Sequence, residues 1–512
     1  MKAAVVAWRG LIAMVLMTVL AQVPHARGQC GPAWIHLWPP TDAGGVDSMV
    51  EHDGRLYVAG NFEWIGDQNI PYLAVWDGVE WSAPAHTPPG PVREVLEWRG
   101  GLVLRGEFTK DGGYWYSELV SVTEDGFEAL TGASDVVEKI GLFKDELVVM
   151  IQNGEVLEVR RFDGASWSSM GSITTGSLWL PWVTLQEYGE KLYCGLGAWE
   201  MAPSMALLRY KGDAWEPVAS AETMEPLRGV MAMTVIDDEL LIAGDFDSVN
   251  GTPADSIAAW NGEEWHAFGA GLSDQGWDWG PCVSSMAVFE GELYAAGAFW
   301  LSDGVELMSV ARWDGGRWVN AGSYSLPYLN LSLATFGSEM LFGVTNGRSG
   351  DDGAPRFGRY TPTNIPWIAR QPEDVESAAG ATLVLRCRSA ADYAAEYRWS
   401  RQGIPLSDGA TGHGSVISGS ATHELVVSNL SSRDAGGYTC EVWNECGGET
   451  SRVAMVTLCR ADLNADGFVN GNDYDLFADA FDAADPAADF NSDGFVNADD
   501  YDAFAEAFEG GC

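Results

Sequence analysis

The sequence predicts an all-β multidomain chain: a seven-bladed β-propeller, then a two-sheet β-sandwich, then a small α-helical module built on a duplicated loop. Three observations predict it. A strand-rich unit of about 50 residues recurs through residues 46–362. A Cys–Trp–Tyr–Cys series runs from Cys387 to Cys440. A loop starting at Asp462 is repeated from Asp489. A chain of 512 residues exceeds what one core fills, and 46% hydrophobic residues mark it as folding material.

Residues 1–28 read as a signal peptide. Lys2 and Arg9 precede an apolar run over residues 11–23, and Ala26-Arg27-Gly28 puts small residues ahead of Gln29. The run is shorter than the roughly 20 residues a membrane span needs. Gln29 before Cys30 makes a poor lipid-attachment site. No second apolar run of spanning length follows, so the sequence predicts a secreted or cell-surface protein with no transmembrane segment after cleavage.

Residues 30–362 carry the repeat. Its clearest copies are Leu56-Tyr-Val-Ala-Gly-Asn-Phe62 with Leu73-Ala-Val-Trp-Asp-Gly-Val-Glu-Trp81, Leu241-Ile-Ala-Gly-Asp-Phe246 with Ile257-Ala-Ala-Trp-Asn-Gly-Glu-Glu-Trp265, and Leu293-Tyr-Ala-Ala-Gly-Ala-Phe299 with Val310-Ala-Arg-Trp-Asp-Gly-Gly-Arg-Trp318. Each reads as four short strands. Asp53-Gly54, Asp77-Gly78, Asn261-Gly262 and Asp314-Gly315 supply the positive φ of two-residue hairpin turns. Four antiparallel strands at this period predict a propeller blade. A unit that begins at Leu331 lacks its closing Trp strand, and the segment around Trp34 reads as the missing strand. The units resemble kelch-like propeller repeats and, more closely, the Trp-Asp-Gly-x-x-Trp repeats of exported bacterial proteins. That resemblance implies the fold and leaves function open.

The repeat register gathers surplus aromatics on one face. With strands a to d, the long b–c and d–a connections emerge on the same side. Trp64, Trp115, Trp199 and Trp300 fall in predicted b–c connections, and Trp179, Trp182, Trp277 and Trp279 in predicted d–a connections. Such rings pack under loops or form a platform for sugar faces or a partner protein. Trp277-Asp278-Trp279, two rings flanking a carboxylate, is the sharpest ligand candidate.

Residues 366–458 resemble an immunoglobulin-like domain: Cys387, then Trp399, then Tyr438 two residues before Cys440. The resemblance implies a Cys387–Cys440 disulfide packed on Trp399. Cys446, in a predicted turn, is an alternative partner for Cys440. Cys30, Cys194, Cys282 and Cys446 have no partner assignable from sequence. The domain reads as a spacer or an adhesive module.

Residues 459–512 hold the duplication. Asp462, Asn464, Asp466, Asn470 and Asp473 recur as Asp489, Asn491, Asp493, Asn497 and Asp500, with Gly467 and Gly494 at the sharp turn. Oxygen side chains at positions 1, 3, 5, 9 and 12 and Gly at 6 give the spacing of a calcium loop. Each loop leads into a run with aromatics at i, i+3 and i+7: Tyr474, Phe477, Phe481, then Tyr501, Phe504, Phe508. The duplicate, with Asp at position 12, resembles a type I dockerin and an EF-hand-like site. The resemblance implies two calcium ions, with backbone carbonyls of Phe468 and Phe495 and water-mediated Asn470 and Asn497 completing the shells, and a cohesin-like partner. Gly471-Asn472 and Ala498-Asp499 stand where dockerins carry a Ser/Thr recognition pair. The module carries a single basic residue, Arg460, and without a cation should repel itself. Cys459 and Cys512 bracket it, and a disulfide between them would clasp its ends.

A net charge of −44 excludes nucleic acid as a partner and disfavours anionic membranes. No zinc-protease, nucleophile-elbow or phosphate-loop motif occurs. The resulting expectation is a secreted modular binding or adhesion protein that recognises an extracellular polysaccharide or surface protein, and no catalytic residues are assigned. The competing expectations are a carbohydrate-active hydrolase or lyase delivered by its dockerin-like tail, and a structural cell-envelope component.

Overall fold

The computed structural model describes residues 33–36, 44–65, 68–111, 114–130, 136–175, 182–198, 207–219, 221–222, 228–273, 282–307, 309–321, 331–337, 339–344, 357–361, 365–378, 380–389, 395–459, 461–464, 469–491 and 494–510. The signal-peptide segment lies outside them. Among the described residues the chain is mostly β, with two α-helices, both in the C-terminal module.

Up to Thr361 the strands form seven antiparallel units, whose first strands are Val46–His52, Val92–Trp98, Val136–Phe143, Trp182–Tyr188, Arg228–Ile236, Cys282–Phe289 and Leu331–Phe336. Units four and five are bridged where Gly197 and Ala198 pair with Gly229 and Arg228. Unit seven takes its outer strand from the N-terminal segment: Ala33–His36 pairs antiparallel with Phe357–Thr361.

Local chemistry explains the turns. Asp53 and Gly54 both sit at positive φ, and His52 pairs with Arg55, which makes the two-residue turn the sequence predicts. The third-to-fourth strand turns differ from expectation. Trp76 pairs with Trp81, so the Asp77-Gly78 connection spans four residues, not two. The cause is the Asp77 carboxylate, whose Oδ1 accepts the N–H groups of Val79 and Glu80, each at 2.8 Å. Asp163, Asn261 and Asp314 hold their turns the same way. Across these turns the flanking aromatics meet, with ring centroids 5.1 Å apart in Trp76–Trp81 and Trp260–Trp265 and 5.4 Å in Trp313–Trp318.

Burial lies between units. Ala59 and Leu73 of unit one share a cluster with Val92 and Leu104 of unit two, and each later pair of neighbours has its own. A further cluster joins Val46 and Leu56 of unit one to Phe336, Leu341 and Phe357 of unit seven. First strands neighbour first strands in order, and Leu331–Phe336 lies against Val46–His52. Small residues permit the approach. A Cβ on Gly195 would lie 2.6 Å from Val230 Cγ1, and one on Gly343 2.5 Å from Val46 Cγ1.

Five first strands carry a β-bulge after a fully buried Val: Val46, Val92, Val137, Val230 and Val283. The extra residues are Asp47, Arg93, Glu138, Met231 and Ser284. Arg93 bridges Asp47 at 2.8 Å and Glu107 at 2.6 Å, and Glu94 holds Arg105 at 2.7 Å and also Lys139. Burial raises the Asp47 carboxyl to about 6 despite Arg93. Burial opposes the Arg93 charge, yet Asp47 and Glu107 still hold its pKa above the ordinary value.

Residues 366–457 form an Ig-like sandwich. One sheet runs Val375–Ala378, Ala454–Cys459, Gly436–Asn444, Glu396–Arg401, Ile404–Pro405; the other runs Leu383–Arg386, Glu424–Ser428, Val416–Ser418, Gly409–Ala410. Cys387, Trp399, Tyr438 and Cys440 share its core, and the Tyr438 hydroxyl donates to the Asp434 carbonyl at 2.7 Å. Cys387 and Cys440 stand in that core as free thiols, where the resemblance implies a disulfide between them. Cys446 is disulfide-bonded, so pairing of Cys446 with Cys440 is ruled out. The Cys459 side chain and Cys512 lie outside the described residues.

The domain is anchored to the seam between units seven and one. Trp367 is buried edge-on against Trp76 at 5.2 Å, and Arg359 stands over its ring. Arg359 pairs with Glu339 at 2.9 Å and Glu449 at 3.6 Å, and Arg452 pairs with Glu80 at 2.8 Å.

Candidate functional site

Two regions carry the sequence-predicted functional residues: the long connections of the repeat units and the C-terminal loops.

The long connections of neighbouring units touch. Ala221–Glu222, before unit five, pairs with Ser248–Val249 inside it. Ser273, before unit six, bridges Leu301 inside it, and Ser302 donates to the Gly271 carbonyl at 2.7 Å. Among the predicted aromatics, Trp64 opens a small hairpin in such a connection and is 43% exposed. Trp300 also lies in one and is half-buried, with its ring N–H buried and unpartnered. Two placements are corrected. Trp182 is the first residue of the strand Trp182–Tyr188, and Trp115 lies within the strand Tyr114–Thr123, because the unit-two hairpin extends its pairing to Asp111 and Tyr114. Trp179, Trp199, Trp277, Asp278 and Trp279 lie outside the described residues, as does the Trp115 side chain. No pair of the described platform residues is in ring contact.

The C-terminal loops are built as near-copies. Helix α1 (Gly471–Asp482) begins at Asn470 and helix α2 (Ala498–Gly510) follows Asn497. Asn470 Oδ1 accepts the Asn472 N–H at 2.9 Å, and Asn497 Oδ1 accepts that of Asp499 at 2.8 Å. The position-12 carboxylates tie each loop shut. Asp473 accepts the N–H groups of Asn464 and Asn470, each at 3.0 Å. Asp500 accepts those of Asn491 at 3.0 Å and Asn497 at 2.9 Å. Both carboxylates are fully buried and Asp462 is nearly so. The backbone N–H of Asn491, followed by that of Asn497, holds the Asp500 carboxyl below its ordinary value despite the opposing effect of burial. Asp489 accepts the Gly494 N–H at 2.9 Å, with Gly494 at positive φ. The Phe495 side chain is 73% exposed. Asp466, Phe468 and Asp493 lie outside the described residues.

Sequence reasoning assigned Asn470 and Asn497 to water-mediated contacts. It missed their role as helix N-caps, which the Asn-x-x-Asp spacing carries as a capping box. Between the helices Phe477 and Phe504 stack at 4.0 Å, 5° from parallel, and the Tyr474 and Tyr501 hydroxyls meet at 3.0 Å. The two halves thus share one aromatic core.

The donor set fits a hard cation. It offers only oxygens, and its buried position-12 carboxylates are met by backbone amides. Among the described residues no three carboxylate, imidazole or thiol side chains converge as a cage. No helix among them is long and apolar enough to cross a membrane.

Comparison with known proteins identifies one part of the chain. Residues 366–457 match the immunoglobulin I-set domain family. Over 103 residues the chain is 34% identical to Contactin-1a of Danio rerio, covering 19% of this chain and 10% of that protein. Solved structures that match over the same share include the titin M3 domain, at 19% identity with 18% of this chain and 96% of that chain covered and a TM-score of 0.16. The complex of titin M10 with obscurin-like 1 matches at 26% identity, covering 18% and 93%, with a TM-score of 0.16. The chain thus spans about a tenth of its curated relative. An Ig-like domain of this kind fits a modular binding or adhesion protein placed outside the cell or at its surface.

Proposed function

We propose that this is a secreted or surface-held binding protein whose seven units close into a β-propeller, whose Ig-like domain braces the closing seam, and whose tail is a dockerin-like module ordered by two calcium ions. Support for closure comes from repetition. Glu187 of unit four accepts the Lys144 N–H of unit three at 3.1 Å, and Glu51 of unit one accepts the Gly337 N–H of unit seven at 3.3 Å. The last seam reuses the contact of an internal seam.

The observation that carries the binding reading is the meeting of long connections at units five and six, together with an exposed Trp64 in the corresponding connection of unit one. That face suits a polysaccharide, whose flat sugar faces stack on indole. In the tail, Asp462, Asn464, Asp466 and Asp473 would hold one ion and Asp489, Asn491, Asp493 and Asp500 the other, with Phe468, Phe495, Asn470 and Asn497 completing the shells. The ions supply charge neutralisation, not chemistry. A cohesin-like partner for the module follows from the same resemblance.

The test is binding of the full chain to a polysaccharide panel. Retention of a glycan that falls at least tenfold in a Trp64→Ala, Trp277→Ala, Trp279→Ala variant is the expected result. Unchanged retention removes the aromatic face. Release of new reducing ends turns the reading to a hydrolase or lyase, and calcium-dependent self-association without glycan binding turns it to an envelope component.

A further inference from the structure

Cys446 is disulfide-bonded, and the geometry narrows its partner. Cys387 and Cys440 are free thiols in the sandwich core, and Cys194 is a thiol buried inside unit four. Cys282 is buried in the first strand of unit six. Cys459 stands at the wrong end of the sandwich. The strand Gly436–Asn444 pairs with Val456 at Gly436 and with Gly447 at Asn444. Cys446 follows Asn444, whereas Cys459 follows Val456. The length of that strand, roughly 27 Å at about 3.4 Å per residue, separates them, and a disulfide spans at most about 7 Å between Cα atoms.

The contacts around Cys446 lead to the N-terminal strand. A Cβ on Gly447 would lie 3.1 Å from the Ile365 side chain, so the turn touches the chain just after Thr361. Glu449 pairs with Arg359, and Arg359 is the strand partner of Ile35. Ala33 pairs with Thr361, so the N-terminal strand begins at the end nearest Ile365. Cys30 precedes Ala33 by three residues, a reach of up to about 11 Å. We propose that Cys446 is joined to Cys30, so that a disulfide staples the N-terminal strand of unit seven to the Ig-like domain.

The bond forms by thiol–disulfide exchange. The Cys30 and Cys446 thiols give up two protons and two electrons, their sulfurs join, and the disulfide of an extracytoplasmic thiol oxidant leaves as a dithiol. The inference rests on the exported location proposed above, not on the ligand. It converts a strand held by four paired residues into one that cannot fray.

The test is non-reducing peptide mapping of the full exported chain after thiol blocking. Trypsin followed by cleavage after glutamate separates Cys440 from Cys446. The expected product is one peptide pair joining Cys30 and Cys446. Cys446 joined to Cys459 or Cys512, or recovered as a blocked thiol, overturns the assignment and leaves the glycan result untouched. In Cys30→Ser, one new reactive thiol per chain, at Cys446, is expected; no new thiol also overturns it.

Discussion

The repeat units and the C-terminal module secure their burial by opposite means. At the seam between units seven and one, Val46, Phe336, Leu341, Phe357 and Trp367 pack on one another, and nearby charges sit in pairs of opposite sign such as Arg359–Glu339. In the module, one stacked pair, Phe477 and Phe504, lies beside fully buried Asp473 and Asp500, whose oxygens are met by backbone amides. The seam completes its own electrostatics. The module leaves negative charge for something outside the chain to neutralise. A small core with few apolar contacts cannot offset that cost alone, which is why the comparison predicts dependence on a cation in one region and not in the other.

The largest expected effect follows directly. Chelating calcium from the full chain should abolish the helical ellipticity of α1 and α2 while the β signal and the main melting transition stay. Identical spectra and melts with and without chelator would erase the contrast. Next is Trp367→Ala, expected to cost about 3–5 kcal/mol in urea unfolding of the repeat and Ig-like regions and nothing in the calcium titration of the tail. Phe504→Ala should do the reverse, at similar size.

Acid and base should then act in opposite directions. Asp47 binds its proton more tightly in the folded chain, at about 6. Its contribution to stability is complete below the unfolded value of about 3.9 and is lost as pH rises toward 6. Asp500 is held below its ordinary value, so its contribution is present above about 4 and is lost as pH falls through its folded value. Melting profiles in buffer series for Asp47→Asn and Asp500→Asn should flatten in those separate windows; a shared window would remove the distinction. The smallest effect tests the repetition of seams. Glu51→Ala and Glu187→Ala should each cost about 0.5–1.5 kcal/mol and match within error. A much larger loss for Glu51 would mean that the two seams are not equivalent.

What the sequence carried was local and periodic. Asp53-Gly54 placed its turn because two positive-φ residues fix a hairpin. The aromatics at i, i+3 and i+7 placed Phe477 and Phe504 on facing helices. Cys387, Trp399, Tyr438 and Cys440 placed the sandwich core. What stayed illegible depended on distant partners or on competing hydrogen bonds. The Asp77 side chain stretched a two-residue turn to four by accepting two amides. Trp115 entered a strand because its hairpin ran on, and nothing in a blade-length pattern sets where such pairing stops. Trp367 lies at the very start of the Ig-like stretch with no pattern to mark it, yet it is one of the most deeply buried indoles, because its pocket is assembled from Trp76 and Phe357, far apart in the chain.

The five bulges have a wider meaning. Asp47, Arg93, Glu138, Met231 and Ser284 each occupy the one position of their strand that has no opposite number in the pairing. Exchanging the residue there leaves the ladder on both sides in step. Evolution can therefore rewrite these equivalent slots one at a time, from acidic to basic to thioether to hydroxyl, and retune the chemistry of the first strands while the scaffold around them is inherited unchanged.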